Sequence, residues 1–312
     1  MSQTRRRFIK NSISASMGAA ILADTDLFGI FSRNTGALKI SLAEWSLHRA
    51  LFANEISNLD FPKYARNEFG IDALEYVSSF FKGTGMDYLS ELLKRTREHG
   101  VLNLLIMVDN EGNLGDLYEP ARVQAIERHY RWIDAAKILG CHSVRVNARG
   151  EGTAEEVGKA AADGLASLAE YAEKQEISVI VENHGGYSSN ARWLADVISR
   201  VNSKYCGTLP DFGNFCIKTE IIEGKAKCIN EYDKYLGLKE LMPYAKGVSA
   251  KSHDFDDQGN ETSTDYIKMM QIIKNAGYTG YIGIEYEGNQ LSEKDGIIAT
   301  KRLLEKVYNE LF

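Results

Sequence analysis

From Leu38 onward, eight short apolar runs alternate with eight longer amphipathic ones, and this alternation leaves few folds open. The short runs lie near residues 38–43, 71–77, 101–107, 142–147, 177–183, 206–211, 246–251 and 280–286. The long ones lie near 60–69, 86–99, 118–139, 154–175, 190–201, 219–241, 263–276 and 293–310. Short apolar runs read as buried strands, and longer runs with a 3.6-residue repeat as helices. Strand–helix alternation brings successive strands together in parallel. Eight repeats predict an α/β fold of the (β/α)8 TIM-barrel type, one domain over residues 37–312. An open doubly wound sheet would normally carry a Gly-rich turn after its first strand. Leu42-Ala43-Glu44-Trp45-Ser46 has no glycine there.

Local signals agree with this frame. Val157, Ala161, Leu165, Leu168 and Ala172 mark one face of the 154–175 helix. Thr153 is placed to cap it, with Glu156 completing a capping box. Gly140 and Gly277 follow helices where a left-handed cap is usual. The stretch 211–241 is longer than an ordinary connection and rich in Lys, Glu and Gly, so an extra short helix or lid is expected before the helix proper.

The formal net charge of −6 argues against a nucleic-acid surface, which needs clustered Lys and Arg. The body has no apolar run of about 18 residues, so no membrane span is expected. Thr4-Arg5-Arg6-Arg7-Phe8-Ile9-Lys10, followed by a small-residue stretch from Ile13 to Ala23, resembles a twin-arginine export signal. Residues 1–36 therefore read as a signal segment and linker, with cleavage after Ala20 or Ala23 and a periplasmic or exported destination. A basic tail is the plainer alternative. Of the cysteines, Cys141 and Cys206 border strand-like runs and read as buried thiols. Cys216 and Cys228 are free to pair in an oxidising compartment, though spacing alone does not decide it.

In a parallel barrel the site is built where the strands end. Polar residues at those ends are Glu44 and His48, Glu75, Asp109, Arg145 and Asn147, and Glu182 and His184. Further on come Asp211 and Asn214, Lys251, His253 and Asp254, and Glu285 and Glu287. Acids close the fifth, sixth and eighth strands, each after an uncharged run. Converging carboxylates repel one another unless a cation lies between them. Glu182 is thus a candidate with Asp211 and Glu285, although Glu182 can be a solvated loop acid and Asp211 a helix cap. Glu285 is read as facing the mouth and Glu287 as pointing the other way. His99, His129 and His142 read as structural.

Glu182-Asn183-His184-Gly185-Gly186, Asp211-Phe212-Gly213-Asn214 and Gly280-Tyr281-Ile282-Gly283-Ile284-Glu285 resemble the xylose-isomerase-like barrel superfamily, from about Leu38 to Tyr308. That group holds sugar isomerases, ketose 3-epimerases, inosose dehydratase and endonuclease IV. The resemblance implies a divalent metal (Mn, Mg, Co or Zn) on a Glu, Asp, His, Glu set over strands five to eight. The chain departs at strand seven, where Ser249-Ala250-Lys251 stands in place of a His-x-Lys pattern. Positions 249, 251 and 253 share a face if the strand stays extended. His253 is then the fourth ligand beside Glu182, Asp211 and Glu285, with His184 or water as alternatives, or a weaker or missing metal.

A metal so held binds the adjacent carbonyl and hydroxyl oxygens of a sugar and stabilises the enediolate left when a C–H proton is removed. The resemblance implies Glu182 and Glu285 as proton carriers on opposite faces. Lys251 and His184 would orient hydroxyls or stabilise oxyanion charge. Arg145, Asn147 and Asn214 would bind substrate alongside Glu44, and Trp45 would supply an apolar floor. The leading expectation is an isomerase or epimerase of an unphosphorylated sugar or sugar derivative. The alternatives are a lyase expelling a β-substituent from a keto-sugar or keto-glycoside, and a carbohydrate-binding barrel without activity. Endonuclease-like DNA repair fits poorly with the acidic charge. Relatives often associate, so a homo-oligomer is a further expectation.

Overall fold

The computed structural model describes residues 37–312, and the proposed export signal and linker lie outside the described residues. Eight parallel strands form one sheet. In chain order they are β1 (Ile40–Ala43), β2 (Ala73–Val77), β3 (Leu102–Met107), β4 (Ser143–Val146), β5 (Ser178–Glu182), β6 (Cys206–Leu209), β9 (Val248–Ser252) and β10 (Ile282–Tyr286). Their spatial order is β6-β5-β4-β3-β2-β1-β10-β9. The two end strands meet through parallel bridges pairing Thr208 with Ala245 and Asp211 with Ser249. Ser249 N–H donates to Pro210 O at 2.9 Å and Phe212 N–H to Ser249 O at 3.0 Å. These bonds close the barrel, and they do so at the residues that build its mouth.

The long helices wrap the outside because each carries one apolar stripe. The helix Ala154–Lys174 buries Val157, Ala161, Leu165, Leu168 and Ala172 completely. Its first turn is fixed by the capping box between Thr153 and Glu156. Gly140 ends the preceding helix at φ 76°, a left-handed cap that a side chain would strain. Inside the barrel, Ala43, Val77, Leu105, Met107, Ile180 and Leu209 form a small separate core, with Trp45 and Phe80 packed on it. The polar cluster described below lies near the strands' C-terminal ends. Among the described residues, no helix is long and apolar enough to cross a membrane.

The stretch after β6 departs from expectation. A hairpin, β7 (Cys216–Ile222) and β8 (Lys225–Glu231), precedes a helix that begins only at Lys234. Its tip is Glu223-Gly224, both with positive φ (53° and 74°), as a two-residue hairpin turn requires. Lys and Glu flank the tip, so composition masked the β-branched residues Ile217, Thr219, Ile221 and Ile222 that favour strand. A Cys216–Cys228 disulfide ties the two strands together. Cys141 and Cys206 are buried free thiols, as the sequence indicates.

Candidate active site

Register brings the site together. Glu285 pairs with Lys251 and Gly283 with Ser249 across β10 and β9, while Asp211 bridges to Ser249. Glu182 ends β5, and Arg145 lies one residue from the end of β4. The side chains of Glu182, Asp211 and Glu285 are all buried, and each offers an oxygen within 4.8 Å of the other two.

Each carboxylate is held by a different device. Asp211 Oδ1 accepts from the backbone N–H groups of Gly213 and Asn214, both at 2.8 Å. Asn183, which the sequence reading did not single out, clamps the same segment. Its Oδ1 accepts from Asp211 N–H at 2.8 Å and its amide donates to Asp211 O and Asn214 O. The signal was its place next to Glu182, where strand alternation turns its side chain off the face that carries Glu182. Asn214 Nδ2 donates to Glu182 Oε1 at 2.9 Å. Lys251 Nζ lies 3.3 Å from Glu285 Oε1 and 3.2 Å from Glu287 Oε1. Glu285 and Glu287 therefore share Lys251, which corrects the expectation that they point oppositely. Residues two apart on extended backbone lie on one face.

The charge balance is uneven. Five carboxylates (Asp109, Glu182, Asp211, Glu285 and Glu287) are met by two buried cations, Arg145 and Lys251. Burial pushes the carboxyl of Glu182 up to about 7, against the pull of Arg145. Burial also pushes Asp211 up to about 7, with Lys251 opposing. His184 is held down to about 4 by burial and by the positive charges of Arg145 and Lys251, so its ring is neutral near pH 7.

Two observations bear on a cation. Ser249 Oγ lies 2.6 Å from Asp211 Oδ2 and 3.0 Å from Glu285 Oε2, yet a hydroxyl has one proton for the two. A carboxyl proton or a cation must supply the rest. Glu182 Oε2 is buried without a hydrogen-bond partner; Arg145 Nε is 3.0 Å away, but not along a hydrogen-bond direction. That contact is charge attraction without a hydrogen bond. A buried carboxylate oxygen without a hydrogen bond, in a group of three carboxylates whose oxygens lie within 4.8 Å of one another, fits a divalent cation. The donors are all oxygen, which suits hard cations such as Mg²⁺ or Mn²⁺ better than softer ones.

The predicted fourth ligand is not where the spacing put it. β9 ends at Ser252, His253 N–H donates to Glu261 Oε1 at 3.2 Å, and the His253 ring lies near Glu287 and outside the three-carboxylate group. Among the described residues, neither His253 nor His184 joins the carboxylate cluster. His184 Nδ1 instead faces Asn147 Oδ1 at 3.1 Å and the Arg149 guanidinium at 3.2 Å. Asn147 and Arg145 both donate to Asp109 Oδ1, at 2.7 and 2.9 Å. Trp45 stacks on His48 and Phe80 and lies beside Glu287 at the mouth.

Glu44 lies away from the mouth. It is fully buried, and its two oxygens accept from Val77 N–H and the Asn58 amide, each at 2.9 Å. Burial pushes its carboxyl up from 4.5 to about 8. Between those values the folded protein holds a proton that the unfolded chain has released. Stability from this group is thus intact below pH 4.5 and falls as pH rises towards 8. Glu44→Gln is expected to flatten that fall by about 1 kcal/mol or more between pH 5 and 8, read from urea midpoints. Glu75 also sits inside the barrel, bonded by Ser41 Oγ at 2.5 Å and pushed by burial up to about 8. Gly283 makes room for it, because a Cβ there would lie 2.5 Å from Glu75 Oε1.

A closed parallel barrel with buried carboxylates converging at its C-terminal mouth defines a class of protein. Residues 64–307 match the xylose isomerase-like TIM barrel family, and the chain belongs to it. The fold is similar to that of a D-tagatose 3-epimerase-like protein, with a TM-score of 0.65 and 19% identity over 88% of this chain and 98% of the other. It is also similar to 3-keto-D-glucoside 4-epimerase from E. coli, with a TM-score of 0.63 and 15% identity over 86% and 100%. A C-glycoside deglycosidase alpha subunit from Arthrobacter globiformis is 35% identical over 66 residues, 20% of this chain and 19% of that protein. The chain thus matches about a fifth of that curated relative's length.

Proposed function

We propose that this barrel is a sugar isomerase or epimerase acting by proton transfer next to a carbonyl group. The observation that carries the reading is the convergence of Glu182 and Glu285, from two different strands, on one buried site. Glu182, on a carboxyl that burial pushes up to about 7, receives a proton from a sugar carbon. Glu285 in its acid form, held in place by Lys251, delivers a different, solvent-derived proton to the opposite face, and Glu182 then loses its proton to solvent. Arg145 and Lys251 add positive charge where negative charge develops on the substrate oxygens. Asn147 and His184 bind hydroxyls, and Trp45 presents its ring to the apolar face of the sugar.

Glu182, Asp211 and Glu285 would hold a divalent cation, with the Ser249 hydroxyl beside them. Such a cation polarises a substrate carbonyl. With no imidazole in the cluster, Mg²⁺ or Mn²⁺ is favoured over Co²⁺ or Zn²⁺. His253→Ala is expected to keep full metal occupancy in elemental analysis. Ser249→His is expected to raise Zn²⁺ and Co²⁺ affinity by about tenfold or more relative to Mg²⁺, measured by calorimetry. Loss of metal in His253→Ala would return that histidine to the ligand set.

A lyase acting on a keto-glycoside is the second reading, and the resemblance to a deglycosidase subunit favours it. The two divide on one assay. Incubation with a 3-keto-glucoside releases the aglycone if the protein is a lyase and leaves the glycosidic bond intact if it is an epimerase. The twin-arginine-like segment and the Cys216–Cys228 disulfide support a periplasmic or exported location. Unphosphorylated sugars or glycosides are the substrates that fit there.

A further inference from the structure

A cavity of about 650 Å³ lies against the site on the side of Glu182. Its walls come from the loops after β3, β4 and β5 and the disulfide-tied hairpin, and His184, Tyr187, Ile217, Asn113 and Asn230 line it. His184 lines it, and the His184 ring lies 3.1 Å from Asn147 Oδ1, whose amide bonds Asp109, so the cavity adjoins the mouth through shared side chains. The volume falls within the range of pockets that enclose drug-sized ligands.

The lining says what would fit. Two cations reach the cavity, and both are engaged. Arg149 donates to the His184 carbonyl at 3.3 Å and lies 3.2 Å from its ring nitrogen, while Lys218 pairs with Glu220 at 2.7 Å. Glu151 on the same wall and Glu220 beside Lys218 set two carboxylates against these two cations, which disfavours a phosphate. Asn113 and Asn230 offer amides for hydroxyl groups, and Tyr187 and Ile217 offer apolar surface. Amides beside an aromatic ring suit a hydroxylated ring with an apolar face.

We infer that this cavity is the subsite for the second ring of a glycoside, the group linked to the sugar held over the carboxylates. The inference rests on the sugar-active reading above and extends it, because it makes the hairpin a specificity element. Gly185 and Gly186, at φ 82° and 59°, let the loop after β5 form the inner wall. Ser189 Oγ donates to Asn214 O at 2.7 Å and joins that loop to the root of the hairpin.

The test is ligand-observed NMR and calorimetry on the full protein, with cellobiose, phenyl β-D-glucoside and D-glucose as probes. Both two-ring probes are expected to bind more tightly than D-glucose, with saturation transferred to the second ring. Ile217→Trp fills the cavity and is expected to lower the cellobiose-to-glucose affinity ratio by about tenfold. Tyr187→Ala removes the aromatic wall and should lower the same ratio without adding bulk, which guards against a misfolded hairpin. A response confined to phenyl β-D-glucoside would identify an aromatic aglycone, and a response to cellobiose a second sugar. Equal affinity for one- and two-ring probes, or an unchanged ratio in both variants, would overturn the inference. Binding is read without turnover. A protein that binds two-ring ligands here but exchanges no proton overturns the reaction assignment and leaves the subsite standing.

Discussion

Glu182→Gln is expected to lower turnover by roughly 10²–10⁴-fold, the usual contribution of a positioned general base. The substitution keeps the shape of the side chain and an oxygen for the Asn214 amide, which donates to Glu182 Oε1 at 2.9 Å. It removes the ability to take a proton. Because Gln still presents a carbonyl oxygen, metal content should fall less than activity, and elemental analysis beside kinetics separates the two effects. The loss should appear in kcat with KM changed only a few-fold. A variant retaining turnover within about threefold would move the base elsewhere.

Lys251→Met is expected to cost about 3–5 kcal/mol of folding stability, because one partner of a buried ion pair is removed and the others stay charged. Lys251 is 3% exposed and lies between Glu285 and Glu287, with Asp211 adding negative charge that favours its protonated form. Two consequences distinguish this from ordinary loss of packing. Mg²⁺ or Mn²⁺ should restore part of the stability, since a cation between the carboxylates replaces some of the missing charge. The deficit should also shrink as pH falls from 8 to 4, because protonated carboxyls no longer need a partner. Urea unfolding at both pH values, with and without metal, checks this. A deficit independent of both would assign Lys251 to packing.

The barrel was legible because period and length agreed in every repeat but the one after β6, where a hairpin stands in place of the first part of the expected helix. The acids were legible too, since Glu182, Asp211 and Glu285 each follow an apolar run that fixes where the strand stops. What escaped depended on contacts between distant segments. His253 was placed by period two, but the backbone leaves the strand after Ser252, where Glu261 accepts its N–H. Glu44 has the position of a mouth residue, yet Val77 and Asn58 draw its carboxylate aside. The hairpin carried a visible Glu-Gly turn that its charge obscured. Glu287 is different: the parity of strand residues already placed it beside Glu285, and Lys251 binds both.

The central claim is that the paired carboxylates move a proton on a sugar carbon next to a carbonyl. Solvent deuterium incorporation tests it most directly. The protein loaded with Mg²⁺ or Mn²⁺ is incubated in D₂O with a ketose and with a 3-keto-glucoside, and the recovered sugars are examined by NMR. The account predicts deuterium at one carbon adjacent to the carbonyl, and none with Glu182→Gln. Absence of exchange in every such sugar, with metal bound and the fold intact, would contradict it.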